Sequence, residues 1–135
     1  MSSDDHHEAL IARLADMLRP VPAILAAYLH GSFGRSTFRA DSDLDCAILL
    51  QPGQALAAKE RLQLAGDLSA AAGITVDLGV MSFENLIYFV EAVHHGQRFL
   101  CKDATLADAL VGRAFSLYVR LKEERKEVEA AYHVA

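Results

Sequence analysis

Two aspartates spaced two residues apart, Asp43 and Asp45, run directly into five apolar residues, Cys46-Ala47-Ile48-Leu49-Leu50. An apolar run of that length reads as a buried strand. Side chains on a strand alternate faces, so the two carboxylates are predicted to lie close together on one face. Carboxylates so placed repel, and one takes up a proton unless a cation neutralises them. A hard, oxygen-seeking ion such as Mg²⁺ suits that position, because it uses one or two carboxylates together with substrate phosphates. Twelve residues upstream of Asp43, Gly31-Ser32 forms a turn in which the glycine admits close backbone approach to a phosphate and Ser32 offers a hydroxyl and an N–H. The chain must therefore fold so that a carboxylate pair stands at the mouth of a buried strand, facing a phosphate-sized turn.

The rest of the chain supplies alternating strand-like and helix-like segments. Leu10, Ile11, Leu14 and Leu18 have helical spacing over Glu8–Leu18, closed by Arg19-Pro20. Residues 22–30 are apolar and read as a first strand, and 43–50 as a second. The polar segment between them begins a short helix or turn at Gly34–Thr37. Residues 54–72 are rich in Ala, Leu, Lys and Glu, and Leu56, Leu62, Leu64 and Leu68 mark a helix between Pro52-Gly53 and Gly73. Residues 74–81 alternate cleanly: Ile74, Val76, Leu78 and Val80 on one face, Thr75, Asp77 and Gly79 on the other. Ser82 is expected to cap a helix over Phe83–His94, with His95-Gly96 ending it. Residues 97–102 fit either a strand or a turn. A long helix follows from Ala104 to Tyr132, with Leu106, Leu110, Ala114, Leu117 and Leu121 along one stripe. The expected architecture is α/β (α+β): a small mixed sheet with flanking helices, in a single domain over residues 1–135.

The segment Gly31-Ser32-Phe33-Gly34-Arg35-Ser36, followed by Ser42-Asp43-Leu44-Asp45, resembles the signature of the nucleotidyltransferase superfamily related to DNA polymerase beta. Within it, the chain looks most like the minimal nucleotidyltransferases, which carry Gly-Ser-Phe-(Ala/Gly)-Arg-Gly, a polar loop and Ser-Asp-Leu-Asp. One position departs from the pattern, Ser36 standing where a second glycine is usual. The resemblance spans Val21 to Met81. It implies a nucleotidyltransferase core extended here by the long C-terminal helix, and transfer of AMP from ATP to a hydroxyl. It further implies an antitoxin partnered with a HEPN-domain RNase toxin, which it inactivates by AMPylating a tyrosine.

Asp43 and Asp45 are expected to hold two Mg²⁺ ions bridging the triphosphate. As a loop pair they would otherwise be turn-capping carboxylates. Asp77 interrupts an apolar run, where an unpaired carboxylate is costly. It is either salt-bridged to a Lys or Arg, or a third site carboxylate on the face shared by Asp43 and Asp45. The resemblance implies the latter, with Asp77 ligating one metal and accepting the acceptor's proton. Gly31, Ser32 and Arg35 are candidate triphosphate contacts, and Ser42 orients Asp43 and the turn; Arg39 reads equally as a solvated loop residue. His30 is read as a strand-end histidine packed beside the site, and Tyr88 as a packing residue.

A net charge of −5 over 135 residues argues against bulk affinity for nucleic acid. No apolar run reaches membrane-spanning length. Cys46 and Cys101 sit among apolar neighbours and read as reduced thiols of a cytoplasmic protein. Two other functions remain open: an antitoxin that neutralises its partner by contact alone, and a small-molecule transferase of the aminoglycoside-modifying type. The latter normally carries a further helical domain for which this chain has little room.

Overall fold

The computed structural model describes residues 3–30 and 43–133. Among the described residues eight elements follow one another: α1 (Ser3–Leu18), β1 (Ile24–His30), β2 (Leu44–Leu50), α2 (Ala58–Ala72), β3 (Val76–Met81), α3 (Leu86–His95), β4 (Gln97–Cys101) and α4 (Ala104–His133). The strands form one mixed sheet in the order β3-β2-β1-β4. β1 is antiparallel to both β2 and β4, while β2 and β3 run parallel. The segment 97–102, open between strand and turn in the sequence, supplies the edge strand β4. The expected small mixed sheet with flanking helices is thus observed, including the long C-terminal helix.

The two faces of the sheet carry separate cores. On one, α1 (Leu14, Ala15, Leu18) and α2 (Leu68) pack on Ile24, Ala27, Leu29, Leu44, Cys46, Ile48, Val76 and Leu78. On the other, α3 (Phe89, Ala92) and α4 (Ala107, Ala114) pack on Leu25, Ala26, Tyr28, Ala47, Leu49 and Met81. A register shift between Ile24 and Ala26 changes the alternation of β1, so that Leu25 and Ala26 serve the same core. β3 follows the period expected of it, Val76 and Leu78 inward to the first core.

Three local expectations are corrected. The helix α1 starts at Ser3, before Glu8, because helix propagates from the apolar stripe into polar residues that need no packing. Leu62 is 73% exposed rather than part of the apolar stripe of α2. It lies two positions from Leu64, roughly 200° around the helix, so the two cannot share a face. Ser82 does not cap α3: the cap is Asn85, whose Oδ1 accepts a hydrogen bond from Tyr88 N–H at 3.3 Å. Residues 82–85 form a turn instead, with Ser82 accepting from Glu84 N–H through its side chain and from Asn85 N–H through its carbonyl. Asn is as good a cap as Ser, and the turn moves the helix start by three residues.

Two connections fix the heads of β2 and β3. Gly73 adopts a left-handed conformation at φ 73° and closes α2. Ser69, one turn earlier, donates through its hydroxyl to Ala65 O and accepts from Val76 N–H, both at 2.8 Å. Leu44 N–H then donates to Thr75 O at 2.9 Å. The end of α2 is therefore tied to the first residue of β3, and that strand to the first residue of β2.

α4 packs on the sheet through its first half. Arg98 on β4 pairs with Asp108 at 2.8 Å, and Arg113 stacks over the Phe83 ring at 5.1 Å. Of the expected stripe, Leu106, Leu110 and Ala114 enter the second core while Leu117 and Leu121 are half-buried, and residues 122–132 are exposed, as a charged, solvated face should be. Among the described residues no helix is long and apolar enough to cross a membrane.

Candidate active site

The parallel pairing of β2 with β3 places Asp45 directly opposite Asp77. Leu44, Cys46, Val76 and Leu78 on either side of them all enter the first core. Alternation therefore turns both carboxylates to the other face, at the end of the sheet where α3 crosses. Adjacent strands lie about 4.8 Å apart, so two like charges stand side by side at that edge.

Asp77 is the second residue of β3 and exposed, not the mid-strand residue the sequence implied, since the strand begins at Val76. That position relieves the burial cost argued from sequence. Among the described residues no Lys or Arg forms an ion pair with it, so the salt-bridge alternative has no partner there. Asp43 stands exposed one residue before β2. Gly31, Ser32, Arg35 and Ser42 lie outside the described residues, as do Ser36, Arg39 and the expected turn at Gly34–Thr37. In this conformation no three His, Cys, Asp or Glu side chains among the described residues are gathered closely enough to hold a metal ion. What is assembled is a two-carboxylate edge with Asp43 beside it.

Asp45 and Asp77 open onto a pocket of about 260 Å³, whose other walls are His30, Ala47, Gly79, Tyr88, Glu91 and Ala92. His30 pairs with Asp45 in the β1–β2 ladder, and its Nδ1 lies 3.9 Å from Asp45 Oδ2. Its ring stands 6.0 Å from that of His95, edge to face, while His95 Nε2 lies 3.4 Å from Glu91 Oε2. His30 is thus beside the site, where the sequence reading put it. A larger, more open hollow of about 390 Å³ lies between α2 and Val21. It is lined mainly by one helix face and pairs no carboxylates across strands, which leaves the smaller pocket as the candidate site.

Tyr88, read from the sequence as packing only, and Glu91, which escaped it, also line the pocket. A usable signal was present: Gly79 on the same strand face as Asp77, since a glycine inside a strand marks a place where another group comes close. The group is Tyr88. Its hydroxyl is pushed up to about 12, first by burial and then by the negative charges nearby, Asp45 and Asp77 among them. Cys46, on the opposite face of β2, is also raised from 9.0 to about 12, by burial alone.

These two shifts give a pH dependence of stability. The native state keeps both protons to about pH 12, whereas the unfolded chain releases the thiol near 9 and the phenol near 10. Above pH 9 the unfolded state binds fewer protons, so stability is complete below that pH and falls as pH rises towards 12. Thermal unfolding should show a midpoint flat from neutrality to about pH 9 and declining beyond it. Cys46→Ala should flatten the first part of the decline; an unchanged slope in that variant would remove the thiol from the account.

The sequence profile described as "Polymerase beta, Nucleotidyltransferase" matches residues 12–105. The chain belongs to the polymerase beta nucleotidyltransferase family. Its matched region runs from α1 through β4 and contains the Asp45–Asp77 edge together with the Gly31-Ser32 segment. A comparison with curated protein sequences finds no match. Among solved structures, the fold is shared with a chain of a toxin–antitoxin crystallised with AMP-PNP, at TM-score 0.73 and 24% identity, over 90% of this chain and 96% of that one. It is shared with a chain of the tri-AMPylated Shewanella oneidensis HEPN toxin in complex with MNT antitoxin, at TM-score 0.69 and 23% identity, over 93% and 97% of the two chains. A chain of the MntA-HepT toxin–antitoxin matches at TM-score 0.67 and 23% identity, over 92% and 97%.

Proposed function

We propose that this nucleotidyltransferase-family chain transfers AMP from ATP to a hydroxyl, a tyrosine side chain, of a HEPN-domain RNase toxin, and thereby acts as its antitoxin. The observation that carries the reading is the register of β2 and β3, which sets Asp45 against Asp77 at the rim of a pocket. Support comes from folds of the same extent that occur with AMP-PNP and with an AMPylated HEPN toxin.

The donor set fits Mg²⁺: carboxylate oxygens only, on neighbouring strands, with room for phosphate oxygens. Asp43, Asp45 and Asp77 would hold the metal, with two ions expected. When bound, Mg²⁺ neutralises the triphosphate and the charge that develops during transfer. Asp77 takes the proton of the acceptor hydroxyl. The hydroxyl oxygen forms a bond to the α-phosphorus, the bond between that phosphorus and the bridging oxygen breaks, and pyrophosphate leaves. Gly31 and Ser32 cradle the phosphates through backbone N–H and hydroxyl groups, Arg35 neutralises them, and Ser42 orients Asp43. The chain acts as one domain over residues 1–135, and its free thiols at Cys46 and Cys101 suit the cytoplasm.

The test is the intact mass of the product of the adjacent reading frame, after incubation with the chain, ATP and Mg²⁺. A Mg²⁺-dependent gain of one or more adenylate units is expected. Co-purification of the two proteins with no gain in mass would sink the reading in favour of neutralisation by contact.

A further inference from the structure

The stripe that seats α4 on the sheet does not stop where the sheet stops. At about 100° per residue, Leu106, Leu110 and Ala114 share an arc of about 80° with Leu117, Leu121, Val128 and Tyr132. The first three turn into the second core. Beyond Leu121 nothing in the chain covers the arc: residues 122–132 are exposed, Val128 at 55% and Tyr132 at 80%. A shallow groove of about 360 Å³ follows it, lined by Leu121, Glu124, Arg125, Val128 and Glu129. Most of a helix's stability in a protein comes from packing an apolar face, and this stretch has such a face with nothing against it.

The charges of the exposed stretch are arranged about a centre. Reading outwards from the Glu124–Arg125 bond, Glu123 mirrors Lys126, Lys122 mirrors Glu127 and Arg120 mirrors Glu129, while Leu121 mirrors Val128. Each charge meets its opposite, and the apolar residue meets an apolar one. Among the described residues none of these charges forms an ion pair within the chain. A segment with that symmetry is complementary to a reversed copy of itself, as an isologous two-fold contact requires.

We propose that the second half of α4 is a homodimerisation surface, on which the same segment of a second copy packs antiparallel about a two-fold axis at Glu124–Arg125. The orientation follows from the fold. Up to Ala114 the stripe faces the chain's own sheet, so a parallel second helix would run into that domain. Reversed and centred on Glu124–Arg125, the second helix overlaps residues 117–132 alone, and the two domains lie at opposite ends of the pair. Leu121 then packs on Val128 of the second copy, and Leu117 on its Tyr132. On one flank Arg120 stands within about 3 Å of rise from Glu127 of the second copy, and on the other Lys122 stands as close to its Glu129. Glu124 and Arg125 of both copies form a neutral group of four charges at the midpoint, a polar layer of the kind that fixes register between paired helices. The overlap is about 24 Å long, at the small end of specific interfaces, so the dimer is expected to form from micromolar concentrations upwards. This surface is independent of the transferase chemistry proposed above.

Sedimentation velocity of the purified chain, from nanomolar to submillimolar concentration, tests the surface: the mass should rise from that of one chain to that of two. Val128→Glu sets a charge on the apolar face without entering the packed core, and should weaken the dimer by about tenfold or more. Arg120→Glu turns two attractive contacts per dimer into repulsions and should weaken it about three- to tenfold. Adding Glu127→Arg to that variant should restore the wild-type constant. Circular dichroism at dilutions where every variant is monomeric should be the same for all, which separates lost association from lost helix. A monomer throughout the series, or a dimer left intact by Val128→Glu, would overturn the assignment. Failure of Glu127→Arg to rescue Arg120→Glu would rule out the antiparallel register. A chain monomeric by itself that loses binding to the product of the adjacent reading frame in Val128→Glu would also overturn it, because the face would then serve a different protein.

Discussion

Asp45→Asn and Asp77→Asn should each lower AMP transfer on the order of a thousandfold or more while leaving the protein as stable as before, or slightly more so. The two effects have opposite signs because the same charge serves them differently. In the free protein the carboxylates stand opposite each other on parallel strands, with no Lys or Arg among the described residues paired to them. Like charges directly across a ladder destabilise it by roughly 0.2–1 kcal/mol, which the amide removes. In the loaded site proposed above the same charges would ligate the cation, whose stabilisation of the transferring phosphate would amount to several kcal/mol, or roughly three orders of magnitude in rate. Asn retains the shape of Asp and a neutral oxygen, so a loss of activity cannot be assigned to packing. Pyrophosphate release measured beside thermal unfolding separates the two quantities. Activity within about tenfold of the wild type in either variant would remove that carboxylate from the metal site. A sharp fall in the unfolding midpoint would instead make the pair structural.

Phe89→Ala should cost about 3–5 kcal/mol of stability, the largest effect of any single truncation on the α3 side of the sheet. Phe89 has no exposed surface, fills the space between α3 and the sheet in the second core, and lies 5.4 Å ring to ring from Phe83. Its neighbours in that core are largely small, among them Ala26, Ala47, Ala92, Ala107 and Ala114. Alanines have no side chain to swing into a vacated space, so the cavity stays open and the full cavity penalty applies. Against a typical stability of about 5–15 kcal/mol, that loss brings the domain near its threshold. Urea unfolding at fixed m-value checks it. A cost below about 1 kcal/mol would mean that α3 and α4 close on the gap. Because Tyr88 precedes Phe89 and Glu91 follows it by two residues, loosening α3 should also degrade the pocket, and activity losses in this variant should track the unfolding midpoint.

The folding pattern was legible wherever it was local. Alternation over 74–81 identified β3 and assigned its faces correctly, because the period of a strand is set by backbone geometry and one side was going to be buried. The stripe from Leu106 to Leu121 identified the packed half of α4, and the charged run after it marked where packing stops. Legibility failed at boundaries decided by neighbours: Leu62 looked like core by hydrophobicity, but its angular position on α2 points it to solvent. Residues 97–102 could not be resolved into strand or turn, since β4 exists only by pairing with β1. Ser82 offered as good a cap as Asn85, and the choice fell to the turn that leaves β3.

The sequence by itself determined the chemistry available: Asp43 and Asp45 at the mouth of a buried strand, a third carboxylate on an alternating one, and a glycine-serine pair upstream, enough to mark the family. Tertiary structure alone decided the strand order β3-β2-β1-β4, the pairing of Asp45 with Asp77 rather than with its sequence neighbour, and the seating of Tyr88 on Gly79. Periodicity and spacing report which face a side chain takes on its own element. Which element comes to face it depends on loop closure and on the joint packing of two cores, and those energies are shared among residues tens of positions apart.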